Sequence, residues 1–225
     1  MTPTEGLAYE LQNDGTYWIT GKGTATSTDI ITPLEYNGVA VTGIKSNSFK
    51  SGITSIIMQD SIKTLGQAAF AYNSNGNNEL KTVVLSKSIT EIPSYCFQRT
   101  SIDEIELHEG IINLNAWCFG NTKLKSITLP STLKNNGNTN QFENCNYLKT
   151  IVVKSSFVAS YMFNGCSAVE VIDLTYYEGN KNFPSLTGTF AAFPENFKIR
   201  VPAGRKSELA AMTNWSTYAD NIVEV

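Results

Sequence analysis

Pairs of apolar residues two positions apart punctuate the chain at a steady interval: Ile56/Met58, Val83/Leu85, Ile105/Leu107, Ile127/Leu129, Ile151/Val153, Ile172/Leu174 and Ile199/Val201. Residues two apart point to the same side of an extended backbone, so each pair predicts a short strand buried on one face. A second marker keeps the same count. Phenylalanines stand at Phe49, Phe70, Phe97, Phe119, Phe142, Phe163 and Phe190, in steps of 21, 27, 22, 23, 21 and 27 residues. The match is tightest between Leu80 and Lys123, where Leu80/Ile102, Val83/Ile105, Leu85/Leu107, Ile89/Ile111, Ile92/Leu114, Cys96/Cys118 and Phe97/Phe119 are each 22 residues apart.

A period of 22 falls within the range of leucine-rich solenoids. Each unit reads as one coil: a strand, a turn, a second apolar pair such as Ile62/Leu65 or Ile89/Ile92 on the opposite wall, and a phenylalanine filling the interior. No coil buries its apolar side alone, so stacking makes the core. The predicted architecture is a leucine-rich repeat solenoid, a right-handed coil with a parallel β-sheet on one face. It forms a single domain over residues 1–225: an N-terminal β-hairpin cap at 1–27, repeat coils at 28–201, and a short C-terminal helical and strand cap at 202–225.

The ends follow from turn chemistry and aromatic content. Tyr9 and Leu11 precede a turn at Asn13-Asp14-Gly15, and Tyr17, Trp18 and Ile19 resume the extended pattern, which reads as a hairpin. Tyr17 and Trp18 are expected to pack under this cap, with an aromatic ligand platform as the other reading. Ile30, Ile31 and Leu34, a turn at Asn37-Gly38, then Val39, Val41 and Ile44 form an introductory coil. At the other end, Ser207 to Met212 is a short helix candidate, Trp215 a plug over the last coil, and Ile222 to Val225 a closing segment.

Three stretches break the count. Residues 71–79 are an Asn-rich insertion, expected as a rim loop and too poor in carboxylates for calcium. The polar run 134–140 replaces an apolar pair and predicts a thin or looped wall. The aromatic interval 176–193 reads either as a protruding loop or as the covering of a coil whose second wall is missing.

Composition narrows the function classes. A net charge of −3 with no block of either sign argues against nucleic acid. No apolar run approaches the roughly 20 residues needed for a transmembrane segment, and the N-terminus carries no basic and apolar leader. The four cysteines, Cys96, Cys118, Cys145 and Cys166, each lie beside a repeat phenylalanine. They are expected as buried free thiols filling a small slot, with a bridge between successive coils conceivable. Two stacked pairs are poorly placed for a tetrahedral metal. No metal, cofactor or catalytic residue is assigned: His108 is the only histidine, no G-x-S-x-G is present, and Glu104 or Glu106 lies about three coils from Asp173, too far for a glycosidase pair.

The strand face remains as the place for a partner. Its middle outward row is Ile57, Val84, Glu106, Thr128, Val152 and Asp173, and the next is Gln59, Ser86, His108, Pro130, Lys154 and Thr175. The candidate ligand face is Ile57, Val84, Glu106, His108, Thr128, Val152, Lys154 and Asp173; the alternative is that these are ordinary strand formers on a solvated sheet.

The units LKTVVLSKSITEIPSYCF and LKSITLPSTL, with the endings FENCNYLKTIVV and MFNGCSAVEVIDL, resemble the BspA-type (Treponema pallidum-type) leucine-rich repeat family. The segments from Leu7 to Phe49 and from Ile199 to Val225 resemble its opening and closing segments. Cys96 and Cys118 before the phenylalanine, and the degenerate coils near Asn136 and Tyr176, depart from its usual pattern. The resemblance implies a secreted or cell-surface protein of host-associated bacteria, adhering to a host extracellular-matrix or plasma protein, a glycan, or another bacterial surface protein. A structural spacer or envelope scaffold is the alternative.

Overall fold

The computed structural model describes residues 1–71, 79–134, 137–179, 181–188, 190 and 192–225. The chain winds as a stack of coils, and the apolar pairs lie on the buried side of parallel strands. Asp29–Ile31, Ser55–Ile57 and Thr82–Val84 pair with Ile30, Ile56 and Val83 in register. Ser126–Leu129, Thr150–Val153, Val171–Asp173, Lys198–Val201 and Ile222–Glu224 pair with Ile127, Ile151, Ile172, Ile199 and Ile222 in register. The front of the molecule therefore carries two sheets where one was expected, because the segment with Ile105 and Leu107 forms no strand. Its apolar anchors still point inward: Leu107 is buried and Ile105 is half-buried against the core.

The opposite wall holds short parallel pairs, Gly43-Ile44 with Thr64-Leu65, Glu91-Ile92 with Asn113-Leu114, and Phe157–Ala159 with Ser185–Thr187. Ile62, Leu65, Ile89, Ile92, Ile111 and Leu114 are all buried along it. Among the described residues no strand continues this wall between Leu114 and Phe157; Asn135 and Asn136 of the polar run lie outside the described residues, as do residues 72–78 of the predicted rim insertion.

Between the walls runs a ladder of rings. Phe49, Phe70, Phe97, Phe119, Phe142 and Phe163 stack with centroids 5.1 to 5.6 Å apart and planes within 12°. The spacing is slightly above the strand separation of about 4.8 Å, so one ring per coil fits without strain. Each ring is fixed by its backbone: the N–H groups of Phe49, Phe70, Phe97, Phe119 and Phe142 donate to carbonyls of Ala69, Cys96, Cys118, Gln141 and Met162 in the following coil at 2.8 to 2.9 Å. At the last step Phe193, rather than Phe190, meets Phe163, tilted at 6.4 Å and 58°. Phe190 stacks on Phe193 instead, because the long 176–193 interval brings an extra aromatic layer under Trp215 and Tyr218.

The described residues of that interval pack as a covering and not a protrusion, but the second wall is not missing from it: Ser185–Thr187 pairs there with Phe157–Ala159. Tyr177, Phe183, Leu186, Phe190 and Phe193 are buried, and Arg205 lies over the Phe183 ring at 4.2 Å while donating to Lys181 O at 2.8 Å.

Both ends are closed. The hairpin Ala8–Leu11 with Tyr17–Gly21 forms as expected, and Trp18 lies so close over Gly43 that a Cβ there would meet its indole at 2.6 Å. Thr4 covers the free edge of the first front strand: its N–H donates to Ile31 O at 2.9 Å, and its Oγ1 accepts from Ile31 N–H at 2.8 Å. An open edge invites pairing with another chain, so this contact is protective. At the far end the helix Lys206–Ala210 leads to Trp215, fully buried, whose Nε1 donates to Pro184 O at 2.8 Å. The buried side chains form one cluster from Leu7 to Ile222.

Candidate ligand face and the gap within it

The register places the candidate residues in two groups. Ile57 lies beside Val84, and Thr128, Val152 and Asp173 lie side by side, with Arg200 continuing the row. Val84 is 48% exposed, whereas Ile57 and Val152 are half-buried between their neighbours, so the apolar row presents one prominent side chain. Asp173 accepts from Thr175 N–H and Oγ1 at 2.9 and 2.7 Å and from Arg200 at 3.1 Å. Its carboxylate is already engaged. Arg200 was within reach of sequence reading, since Ile199/Val201 flank it as an outward position.

The second row is mostly a floor. Ser86 and Pro130 are buried, and His108 is a staple between coils: its Nδ1 accepts from Gly110 N–H at 3.0 Å, which leaves the proton on Nε2, and that nitrogen donates to Ser86 O at 3.1 Å. Both ring nitrogens are occupied by backbone. Lys154 lies 3.5 Å from Glu109, whose carboxylate also accepts from Ser131 N–H and Oγ at 2.8 and 2.7 Å. The Ser131 hydroxyl, helped by Lys154, holds the Glu109 carboxyl below its usual range.

Glu106 sits between the two sheets, where the fold opens. A cavity of about 660 Å³ is bounded by the Thr82–Val84 strand, by residues 104–109 and by Ser126 to Thr128, with Lys154 at its rim. Among the described residues, the backbone groups of Glu104, Ile105, Glu106 and Leu107 have no backbone partner. On the front of this coil, at residues 103–107, one backbone bond reaches the next coil, Lys125 N–H to Asp103 O at 3.1 Å, and none reaches Thr82–Val84. The composition explains the failure to pair. Where other coils read TVVL, SITL or TIVV, this one reads EIEL, and glutamate is depleted in strands while like charges two apart on one face repel. Asp103 beside them is held by Lys125 at 2.9 Å, with Lys81 at 3.9 Å, and the Lys125 hydrogen bond lowers its carboxyl. Among the described residues Glu104 and Glu106 have no ion pair or hydrogen-bonded partner for their carboxylates.

The four thiols are free and buried. Cys145 and Cys166 donate to the Phe119 and Phe142 carbonyls of the preceding coil at 3.1 and 3.0 Å, and burial pushes the Cys96 and Cys118 thiols well up. Among the described residues no group of three or more histidine, cysteine, aspartate or glutamate side chains is arranged to hold a metal, and no helix is long and apolar enough to cross a membrane.

A family model described as BspA type leucine rich repeat region matches residues 29–78 and 73–183, in six copies overall. No curated protein matches the chain in sequence. Among solved structures, the leucine-rich repeat protein of T. pallidum superposes with a TM-score of 0.64 at 19% identity, over 86% of this chain and 90% of that one. A leucine-rich repeat protein of Bacteroides ovatus gives a TM-score of 0.64 at 19% identity, over 88% of this chain; the match spans 48% of the Bacteroides chain. At this identity the likeness is one of fold.

Proposed function

The chain belongs to the BspA-type leucine-rich repeat family, and from that premise we propose that it is a non-enzymatic binding and adhesion module acting at a bacterial surface or after secretion. The repeat solenoid is a fold typical of protein-binding and adhesion modules. Support for the finer reading comes from one observation: the front face, elsewhere closed by paired strands, opens into a cavity rimmed by an exposed Val84 and by Glu104 and Glu106. The ligand is a host matrix or plasma protein, a glycan, or another bacterial surface protein, and it contacts Val84, Glu106, Thr128 and Lys154 around that opening.

Support for a non-enzymatic role is chemical as far as the histidine and the cysteines are concerned. A general base or nucleophile must be free to reach a reacting atom. The single imidazole is held by Ser86 and Gly110, and every thiol is inside the stack. The test is a saturation-binding screen of the isolated chain against immobilised matrix proteins, plasma proteins and glycans. A saturable ligand whose affinity falls for Val84→Ser with Thr128→Lys supports the module. Absence of any saturable ligand leaves the structural spacer as the better account.

A further inference from the structure

We propose that the gap in the front face is a strand-accepting site, taking an extended, lysine- or arginine-bearing segment of a protein partner; this rests on the reading of the front face as the ligand surface. Strand addition needs a sheet edge with unpaired backbone groups. The Thr82–Val84 strand is the end of its three-stranded sheet, and the facing residues 104–107 have no backbone partner among the described residues. Residues 104–107 bond to neither flanking strand: the segment is tied only beside them, by Lys125 N–H to Asp103 O on one side and by His108 Nε2 to Ser86 O on the other, so the opening lies between the sheet ends Thr82–Val84 and Ser126–Leu129.

Charge selects the occupant. The acidic side chains lining the cavity are Glu104, Glu106 and Glu109; Lys154 pairs with Glu109 and leaves Glu104 and Glu106 uncompensated. An extended segment places alternate side chains on one face, so basic residues two apart meet the two glutamates on the outward side while the intervening ones point inward, toward Val83 and Ile105. A glycan is the poorer fit, since no Trp, Tyr or Phe lines the cavity for a sugar face to stack on, and a sugar cannot satisfy a ladder of amides and carbonyls.

The experiment is selection of random displayed peptides on the intact chain, followed by synthesis of an enriched peptide. Enriched sequences are expected to alternate basic and apolar residues. Binding is expected to fall about tenfold for the Glu104→Gln/Glu106→Gln variant, and high salt is expected to weaken binding to the native chain and narrow that difference. It is also expected to fall when the peptide's alternate amides are N-methylated, and hydrogen exchange should slow at residues 82–84 and 104–107. No enrichment, or a peptide indifferent to both changes, or protection elsewhere on the chain, overturns the proposal. A separate ligand that loses affinity for Val84→Ser with Thr128→Lys, yet binds Glu104→Gln/Glu106→Gln unchanged, removes strand addition and leaves the front-face reading standing; one indifferent to all four substitutions removes both.

Discussion

Phe97 is held between Phe70 and Phe119 at 5.1 and 5.4 Å, and its N–H is bonded to Cys118 O, so its neighbours cannot close over a missing ring without breaking the coil spacing. Phe97→Ala is expected to cost about 3–5 kcal/mol in urea unfolding, a large share of the roughly 5–15 kcal/mol available to a whole domain. The ring positions were legible because a ring of fixed size recurs once per coil. The backbone beside them was not. Two residues before the ladder ring, Asn47, Ala68, Tyr95, Trp117 and Asn140 all take φ between 53° and 62°; asparagine favours that region, but nothing in Ala68, Tyr95 or Trp117 announces a left-handed residue. The Tyr95 and Trp117 rings stack at 5.5 Å, which helps hold the two bulkiest residues there, but Ala68 has no such compensation. Ala68→Gly is expected to stabilise by about 0.5–1 kcal/mol. The thiols carry a pH dependence. Burial raises Cys96 and Cys118 above the usual value of 9.0, so above that pH the unfolded chain loses protons that the folded chain keeps. Their contribution is complete below pH 9.0 and declines above it. Urea midpoints measured from pH 8 to 10 should fall more steeply for the native chain than for Cys96→Ala/Cys118→Ala.

At the scale of single elements, every apolar anchor pair but Ile105/Leu107 begins on a front strand, and the flanking strands Asp29–Ile31 and Ile222–Glu224 lie outside the anchor series. Ile105 and Leu107 keep the count and face inward, yet anchors report only which side of a segment is buried, not whether its backbone finds a partner. Pairing depends also on the outward residues, and in this coil those are glutamates. Replacing Glu104 and Glu106 by threonine and valine removes the repulsion and supplies strand formers, a change worth about 1 kcal/mol on β-propensity. The expected outcome is closure of the gap: slowed amide exchange at residues 104–107 and a higher urea midpoint. Unchanged exchange there would mean that the backbone, and not these side chains, sets the opening. The candidate face was legible to the same degree. Counting placed Ile57 beside Val84 and Thr128, Val152 and Asp173 side by side, but it missed the burial of Ser86 and Pro130 and the engagement of His108, Lys154 and Asp173 by Gly110, Glu109 and Arg200, since those contacts cross between coils or fold back within a turn.

Across the whole molecule, coils stacked on their neighbours make stability a sum of near-identical interfaces, which allows one coil to be removed if the cut respects the period. Leu80, Ile102 and Leu124 are equivalent positions 22 residues apart. Deleting residues 102–123 joins Ser101 to Leu124 and takes out the one coil that forms no front strand. Val83 then lies beside Ile127, Phe97 meets Phe142, and the sheet ending at Thr82–Val84 becomes continuous with the one beginning at Ser126–Leu129. The shortened chain is expected to unfold cooperatively, with the amides of 82–84 and 126–128 newly protected and the front-face cavity gone. Deleting residues 102–112 instead shifts every later anchor by half a coil, putting strand residues against the ring ladder, and that chain is expected to collapse without cooperative unfolding. The two deletions separate repeat architecture from mere tolerance of shortening. The first also tests function: a ligand that binds the intact chain through the gap must lose its site in a protein whose caps, Phe49 to Phe97 ladder and C-terminal coils are all retained.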